Sequence, residues 1–249
     1  MDATEFWSIC SANGMALSRE QMAQFERYAG DLIYWNEKVN LISRRDIEHV
    51  WLHHILHSVS IAFTGELPKS GKVLDIGTGG GLPGIPLKIL NPKFDITLLD
   101  SIAKKVQTVG MMAGHITVHG LRAIRQRAEE LPNDPKLKGP YDLIVSRATA
   151  PLVDLMKWSR PVLKNTGKIL TLKGGALTEE IRQAQTKFPD AEITVIDLRV
   201  RGADWFELEE KRLVRVRWET PFAAPAEETA TIDAPAENDD EPAASDLQG

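Results

Sequence analysis

The pattern of apolar and polar positions divides the chain into two parts. Over the first 65 residues the spacing is helical: Met22, Phe25, Ala29, Leu32 and Val39 recur at intervals that share one helix face. Ser18 followed by Gln21 is a capping box that starts this helix. Asp46 is expected to cap a further helix carrying Val50, His53, His54, His57 and Val59. This lobe, 1–65, is expected to pack on the main domain. Its aromatics Phe25, Tyr28, Tyr34 and Trp35 belong in a core or interface rather than in a base-stacking platform.

From Lys72 the pattern changes to short strands alternating with helices. Val73–Ile76 reads as a short buried strand, and Ile96–Leu99, Leu121–Gln126, Tyr141–Ser146 and Lys168–Leu172 read as further strands. Between them fall helices at Pro83–Leu90, from a Ser101 cap towards Gly114, at Leu152–Leu163 and at Glu179–Thr186. Two late strand-like runs, Glu192–Val200 and Lys211–Trp218, read as a hairpin that places one strand antiparallel. The alternation predicts an α/β, Rossmann-like domain over 66–220, with a seven-stranded, mostly parallel sheet covered by helices on both faces.

Composition changes this picture at the C-terminus. From Pro221 onward the chain holds eight acidic residues, no Lys or Arg, and four prolines among many alanines. Such a segment buries too little apolar surface to offset its ordering entropy, so 221–249 is expected to be a disordered acidic tail. The net charge of −5 is therefore uneven: without the tail, 30 basic residues face 27 acidic ones. A mildly basic body is compatible with a nucleic-acid substrate. One cysteine, Cys10, excludes an intramolecular disulfide framework and suits a reducing cytoplasm. No basic-then-apolar leader is visible, and no run approaches the ~20 apolar residues of a membrane span. A soluble, monomeric, cytoplasmic protein is expected.

The chemistry lies in residues 73–100. Asp75-Ile-Gly77-Thr-Gly79-Gly-Gly81 leaves the first strand and enters a helix, and Asp100 ends the second strand. In an open α/β sheet the ligand crevice lies at the carboxyl ends of such strands. Glycines there allow positive φ and close approach of a ligand. Asp100 stands where an acid accepts both hydroxyls of a ribose, and Asp75 is placed to accept from a cationic amine, directly or through water. Gly79 to Gly84 also matches the dinucleotide fingerprint G-x-G-x-x-G, so glycines alone do not name the nucleoside. Pro83, which removes an amide near the helix start, and Asp75 both favour the cationic, phosphate-free S-adenosylmethionine. For the methyl acceptor, the position of Cys10 argues against cytosine C5, and Ser146-Arg-Ala-Thr-Ala-Pro151 is not the motif of exocyclic-amine methyltransferases. A ring nitrogen with a free lone pair, such as guanine N7, needs no base and is consistent with both.

From Tyr34 to Trp218 the chain resembles the bacterial small-subunit (16S) ribosomal RNA guanine-N7 methyltransferase family, the glucose-inhibited division protein B family. The resemblance rests on Trp35-Asn-Glu-Lys-Val-Asn-Leu-Ile42, His54-Ile-Leu-His-Ser58 and above all Gly77-Thr-Gly-Gly-Gly-Leu-Pro-Gly-Ile-Pro86. Leu99-Asp-Ser101, Lys104-Lys105, Arg127-Ala-Glu-Glu130, Ser146-Arg-Ala148 and Leu172-Lys-Gly174 follow in order. It implies a class I S-adenosylmethionine-dependent methyltransferase, with cofactor contacts at Gly77, Leu82, Ala128, Glu129 and Arg147 beside Asp75, Gly79, Gly81 and Asp100. The implied substrate is 16S ribosomal RNA or the 30S particle, and Lys104, Lys105, Arg127, Lys173 and Lys211 are candidates for a phosphate-binding rim. His57 stands where that family usually carries Asp, and the tail is outside its pattern. The three histidines are irregularly spaced and lack Cys or acidic partners, so no metal is expected. Other readings are the same fold acting on another RNA base, a protein or a small molecule, a non-catalytic nucleoside- or RNA-binding module, and an NAD-dependent oxidoreductase.

Overall fold

Seven strands form a single sheet in the computed structural model, which describes residues 1–116, 118–133, 137, 139–147 and 149–219. The tail expected over 221–249 lies outside the described residues, as does Ala148. In chain order the strands are β1 (Gly71–Ile76), β2 (Phe94–Asp100), β3 (Leu121–Arg125), β4 (Tyr141–Arg147), β5 (Leu163–Gly174), β6 (Ala191–Asp197) and β7 (Lys211–Trp218). Their spatial order is β3-β2-β1-β4-β5-β7-β6. The first five are parallel, and β7 runs antiparallel to both β5 and β6. The order reverses between β1 and β4, which sets the ligand crevice at their carboxyl ends.

Period-two alternation gives each strand two apolar faces. Val73, Leu143, Val145 and Leu170 join one core cluster, and Leu74, Ile144 and Ile169 join the other. Helices α6 (Leu152–Ser159) and α7 (Thr178–Lys187) cover the second face. The first face is covered by α4 (Gly84–Leu90) and α5 (Ala103–His115), and also by the N-terminal segment. That segment comprises α1 (Ala3–Ala12), α2 (Arg19–Asn36), a 3-10 turn at Arg44–His49, a π-helical turn at Val50–Leu56 and α3 (His57–Phe63). Phe6, Phe25, Tyr28 and Leu32 are fully buried in the same cluster as Val73 and Leu82. Burial of each such side chain contributes about 1.5–3 kcal/mol. The N-terminal helices therefore share one face of the sheet's core with α4 and α5.

Several local expectations need correction. The capping box is present, with Ser18 Oγ accepting from Gln21 N at 3.1 Å and the Gln21 side chain from Ser18 N at 3.0 Å. Asp46, in contrast, caps nothing: Ser43 Oγ accepts from Arg45 N, and the Asp46 carboxylate lies 3.3 Å from His53 Nδ1. The single helix expected there is three pieces. Ser101 does not cap α5, which starts at Ala103 behind Ile102 with no side-chain cap, while Ile102 N donates to Asp100 Oδ1 at 2.9 Å. The helix expected to reach Leu163 ends at Ser159, where Pro161 enforces a 3-10 turn and Leu163 opens β5. Tyr34 is 52 % exposed, with Lys38 Nζ 3.6 Å above its ring, while Trp35 is half-buried.

Candidate functional site: a cavity at the ends of β1, β2 and β4

The chain leaves β1 at Ile76 and turns through residues 77–82, where five of the six amides are engaged within the protein. Gly77 N and Thr78 N donate to Leu99 O at 2.9 Å, and Gly79 N to Asp100 Oδ2 at 3.0 Å. Gly81 N and Leu82 N donate to Thr78 O. The turn needs glycine at two places for separate reasons. Gly77 has φ +71°, and an added Cβ would lie 1.9 Å from Thr149 Cγ2. At Gly80 an added Cβ would lie 2.6 Å from Leu32 Cδ1, because α2 packs directly on the turn. Tyr28 Oη donates to Gly80 O at 3.0 Å from the same helix. Asn36 Oδ1 accepts from Leu41 N and Ile42 N, which holds the segment after α2 against Gly79.

Asp75 caps the first amide of α4. Its Oδ2 accepts from Gly84 N at 2.9 Å, at the start of α4, and from Thr78 Oγ1 at 2.6 Å. A carboxylate thus fills the helix N-terminus that the fingerprint would otherwise offer to an anion. The residue is fully buried, and burial pushes its carboxyl up to about 7 against the pull of the Thr78 and Gly84 hydrogen bonds. Asp75 braces the turn through Oδ2 and does not itself line the cavity, while its Oδ1 is buried with no partner among the described residues. Gly81 is also turned away: its φ is +96°, and an added Cβ would strike Ile85 at 2.5 Å.

The cavity itself holds about 390 Å³. Gly77, Gly79, Leu82, Asp100, Ala128, Glu129 and Arg147 all line it, which brings seven of the nine expected cofactor residues together. Asp100 is 8 % exposed, and its two oxygens are fixed by Gly79 N and Ile102 N. Each retains a lone pair, so the carboxylate stands ready for hydroxyl donors without reorganising. Glu129 follows β3 and pairs with Arg127 at 3.3 Å; its own backbone amide, then Arg127, holds its carboxyl below the ordinary range. Arg147 reaches across to His53 O at 3.1 Å, and burial works against its charge while Asp75 and Asp46 support it. Leu41, Ser101, Gln126, Thr149 and Trp158 also line it. None was expected from the sequence; Trp158, one residue before the end of α6, carries no local signal for its position.

The five candidate basic residues divide. Lys105 and Arg127 line the cavity, while Lys104 is exposed and lines neither it nor its neighbour. Lys173 and Lys211 border an adjoining cleft that shares Thr149. Lys173 is not a free phosphate contact: its ammonium is held at 2.7 Å by both Glu180 Oε1 and Ala150 O, with a side chain only 10 % exposed. Lys211 lies over the Trp205 ring at 4.6 Å and 3.8 Å from Glu209 Oε2. Among the described residues no three His, Cys, Asp or Glu side chains are grouped to hold a metal, and no helix is long and apolar enough to cross a membrane.

A profile of the family described as rRNA small subunit methyltransferase G matches residues 21–202. The chain belongs to that family. The match runs from α2 through β6, so it takes in the helices that press on the glycine turn as well as the sheet. Among curated members, the ribosomal RNA small subunit methyltransferase G of Chlorobium luteolum is 43% identical over 181 residues, covering 71% of this chain and 72% of its own. The protein of the same name from Streptococcus pneumoniae is 36% identical over 186 residues, covering 74% and 78%. Among solved structures, a fibrillarin/Nop5p complex superposes with a TM-score of 0.50 at 12% identity, covering 64% of this chain and 79% of that one, a likeness of fold.

Proposed function

We propose that this chain transfers a methyl group from S-adenosylmethionine to N7 of a guanine in 16S ribosomal RNA, as free RNA or within the 30S particle. Membership of the family carries this reading, and the cavity supports its cofactor. The space falls in the range of small-ligand pockets. Five of the six amides in the turn that floors it are already used, which leaves little to hold a phosphate and suits a nucleoside without one. Asp100 is the acceptor for the ribose hydroxyls, and Ala128 with Glu129 faces the adenine edge; Leu82 and Trp158 supply apolar wall. When bound, S-adenosylmethionine supplies an activated methyl on its sulfonium. Guanine N7 presents a lone pair and no proton, so the protein's work is to align the two and exclude water rather than to remove a proton. The basic pair Lys105 and Arg127 at the cavity and Lys211 at the cleft would meet RNA phosphates. The protein would act in the cytoplasm, as a monomer. Incubation of the full chain with tritiated S-adenosylmethionine and unmethylated 30S subunits tests the reading. Label in 16S RNA, recovered as 7-methylguanosine, is expected; binding of cofactor without transfer would overturn it.

A further inference from the structure

The cleft beside the cofactor cavity carries a carboxylate that is only half used. The cleft measures about 540 Å³, lies at the carboxyl ends of β4 and β5, and is walled by Thr149, Pro151, Leu172, Glu180 and Lys211. Thr149 is common to both spaces, and its Oγ1 is anchored to Ile76 O and Ser146 Oγ, so this partition is fixed. A second space shares Ser101, Gln126 and Arg127 with the cavity, beside the residues assigned to ribose and adenine. The part at Gly77 and Thr149 is left for the methionine portion of the cofactor and its sulfonium, since these two residues lie against each other. On that assignment the cleft, and not the second space, is where an acceptor base sits.

Glu180, on α7, is fixed from behind. Its Oε1 accepts from Lys173 Nζ and from Leu152 N, both at 2.7 Å, and Ala150 O holds the same ammonium. Among the described residues Oε2 has no hydrogen-bond partner, and the side chain is 27 % exposed where it borders the cleft. A carboxylate oxygen only accepts, so the cleft wall offers a fixed acceptor that a ligand can reach. Of the four RNA bases, guanine carries an amine at C2, a donor that adenine lacks, on an edge away from N7. We propose that Glu180 is a specificity-determining residue, accepting through Oε2 from the exocyclic amine of a guanine seated in this cleft. This inference rests on the proposed function and deepens it.

Glu180→Gln separates this role from the structural one. Its amide oxygen can still accept from Lys173 and Leu152 N, which puts an NH2 donor where Oε2 stood. With 30S subunits as substrate, E180Q should lower kcat/KM for RNA about 10- to 100-fold, the size of one hydrogen bond to a charged group, while its Kd for S-adenosylmethionine stays within about twofold. Subunits carrying inosine at the target position lack only the C2 amine. The parent chain should prefer guanine to inosine about tenfold or more, and E180Q should lose that preference. Unchanged transfer by E180Q, a matching loss of cofactor affinity, or a guanine-to-inosine ratio equal in the two chains would each overturn the assignment; the last is what a purely structural Glu180 would give. If E180Q does not fold, Lys173→Met with Glu180→Met, which removes both charges together, carries the same comparison. Failure of the unsubstituted chain to methylate 16S RNA at all would instead remove the proposed function, so the two failures are distinguishable.

Discussion

Asp100 offers the sharpest separation of cofactor binding from structural support. Its carboxylate accepts from Gly79 N at 3.0 Å and Ile102 N at 2.9 Å, and it lines the cavity at 8 % exposure. Asp100→Ala removes both acceptors. Each amide left unpaired costs about 1–3 kcal/mol, at the low end where water can reach it, so the unliganded protein should lose roughly 2–3 kcal/mol. Loss of a charge-assisted hydrogen bond to ribose, worth about 1.5–3 kcal/mol, should raise the Kd for S-adenosylmethionine about 10- to 100-fold. Because a loosened turn would also weaken binding, the decisive assay is a double-mutant cycle by calorimetry with a cofactor analogue lacking the ribose hydroxyls. The analogue should bind the parent chain weakly and bind Asp100→Ala no worse than S-adenosylmethionine does. Additive losses would show that the ribose lies elsewhere and that Asp100 serves only the turn.

Three other outcomes follow from the same geometry. Gly77→Ala combines positive-φ strain of about 1–2 kcal/mol with overpacking of about 1–3 kcal/mol against Thr149, and Thr149→Ala in the same chain should recover part of the total in urea denaturation; a single variant as stable as the parent would refute this. Burial raises Asp75 to about 7 from 3.8, so the folded state holds this proton more tightly than the unfolded one. Its contribution is favourable below about pH 4 and is lost as pH climbs towards about 7, so the stability difference between Asp75→Asn and the parent should shift in favour of Asn across that window; a pH-independent difference would contradict the burial. Replacing Lys105 and Arg127 together by Ala should weaken RNA association and flatten its salt dependence, measured by filter binding, while Lys104→Ala should do less because it lines neither space.

The sheet was legible because period-two apolar runs are local: Lys211–Trp218 and the strand cores of β1, β2 and β4 follow directly from their residues. The helix caps were less so. Ser43 rather than Asp46 caps the turn at Arg44–His49, and α5 begins behind Ile102 rather than Ser101, choices between neighbours that spacing does not rank. Asp75 shows a signal that was present but unused. Alternation along β1 puts it on the same face as Val73, under α4, which is where its carboxylate meets Gly84 N. Leu41, Thr149 and Trp158 reach the cavity through tertiary packing, and nothing in their own segments marks them. The largest revision concerns the N-terminal helices: Tyr28, Leu32 and Asn36 form the back of the glycine turn, so the lobe helps to build the cavity as well as to cover the sheet.

The central claim is that this chain places a methyl group on guanine N7 of 16S RNA. Deleting its gene and mapping 7-methylguanosine in 16S RNA by reduction and aniline cleavage tests it most directly. The account predicts one cleavage site present in the parent, lost in the deletion strain, and restored by the full chain but not by Asp100→Ala at limiting cofactor. A cleavage pattern unchanged by the deletion would contradict it.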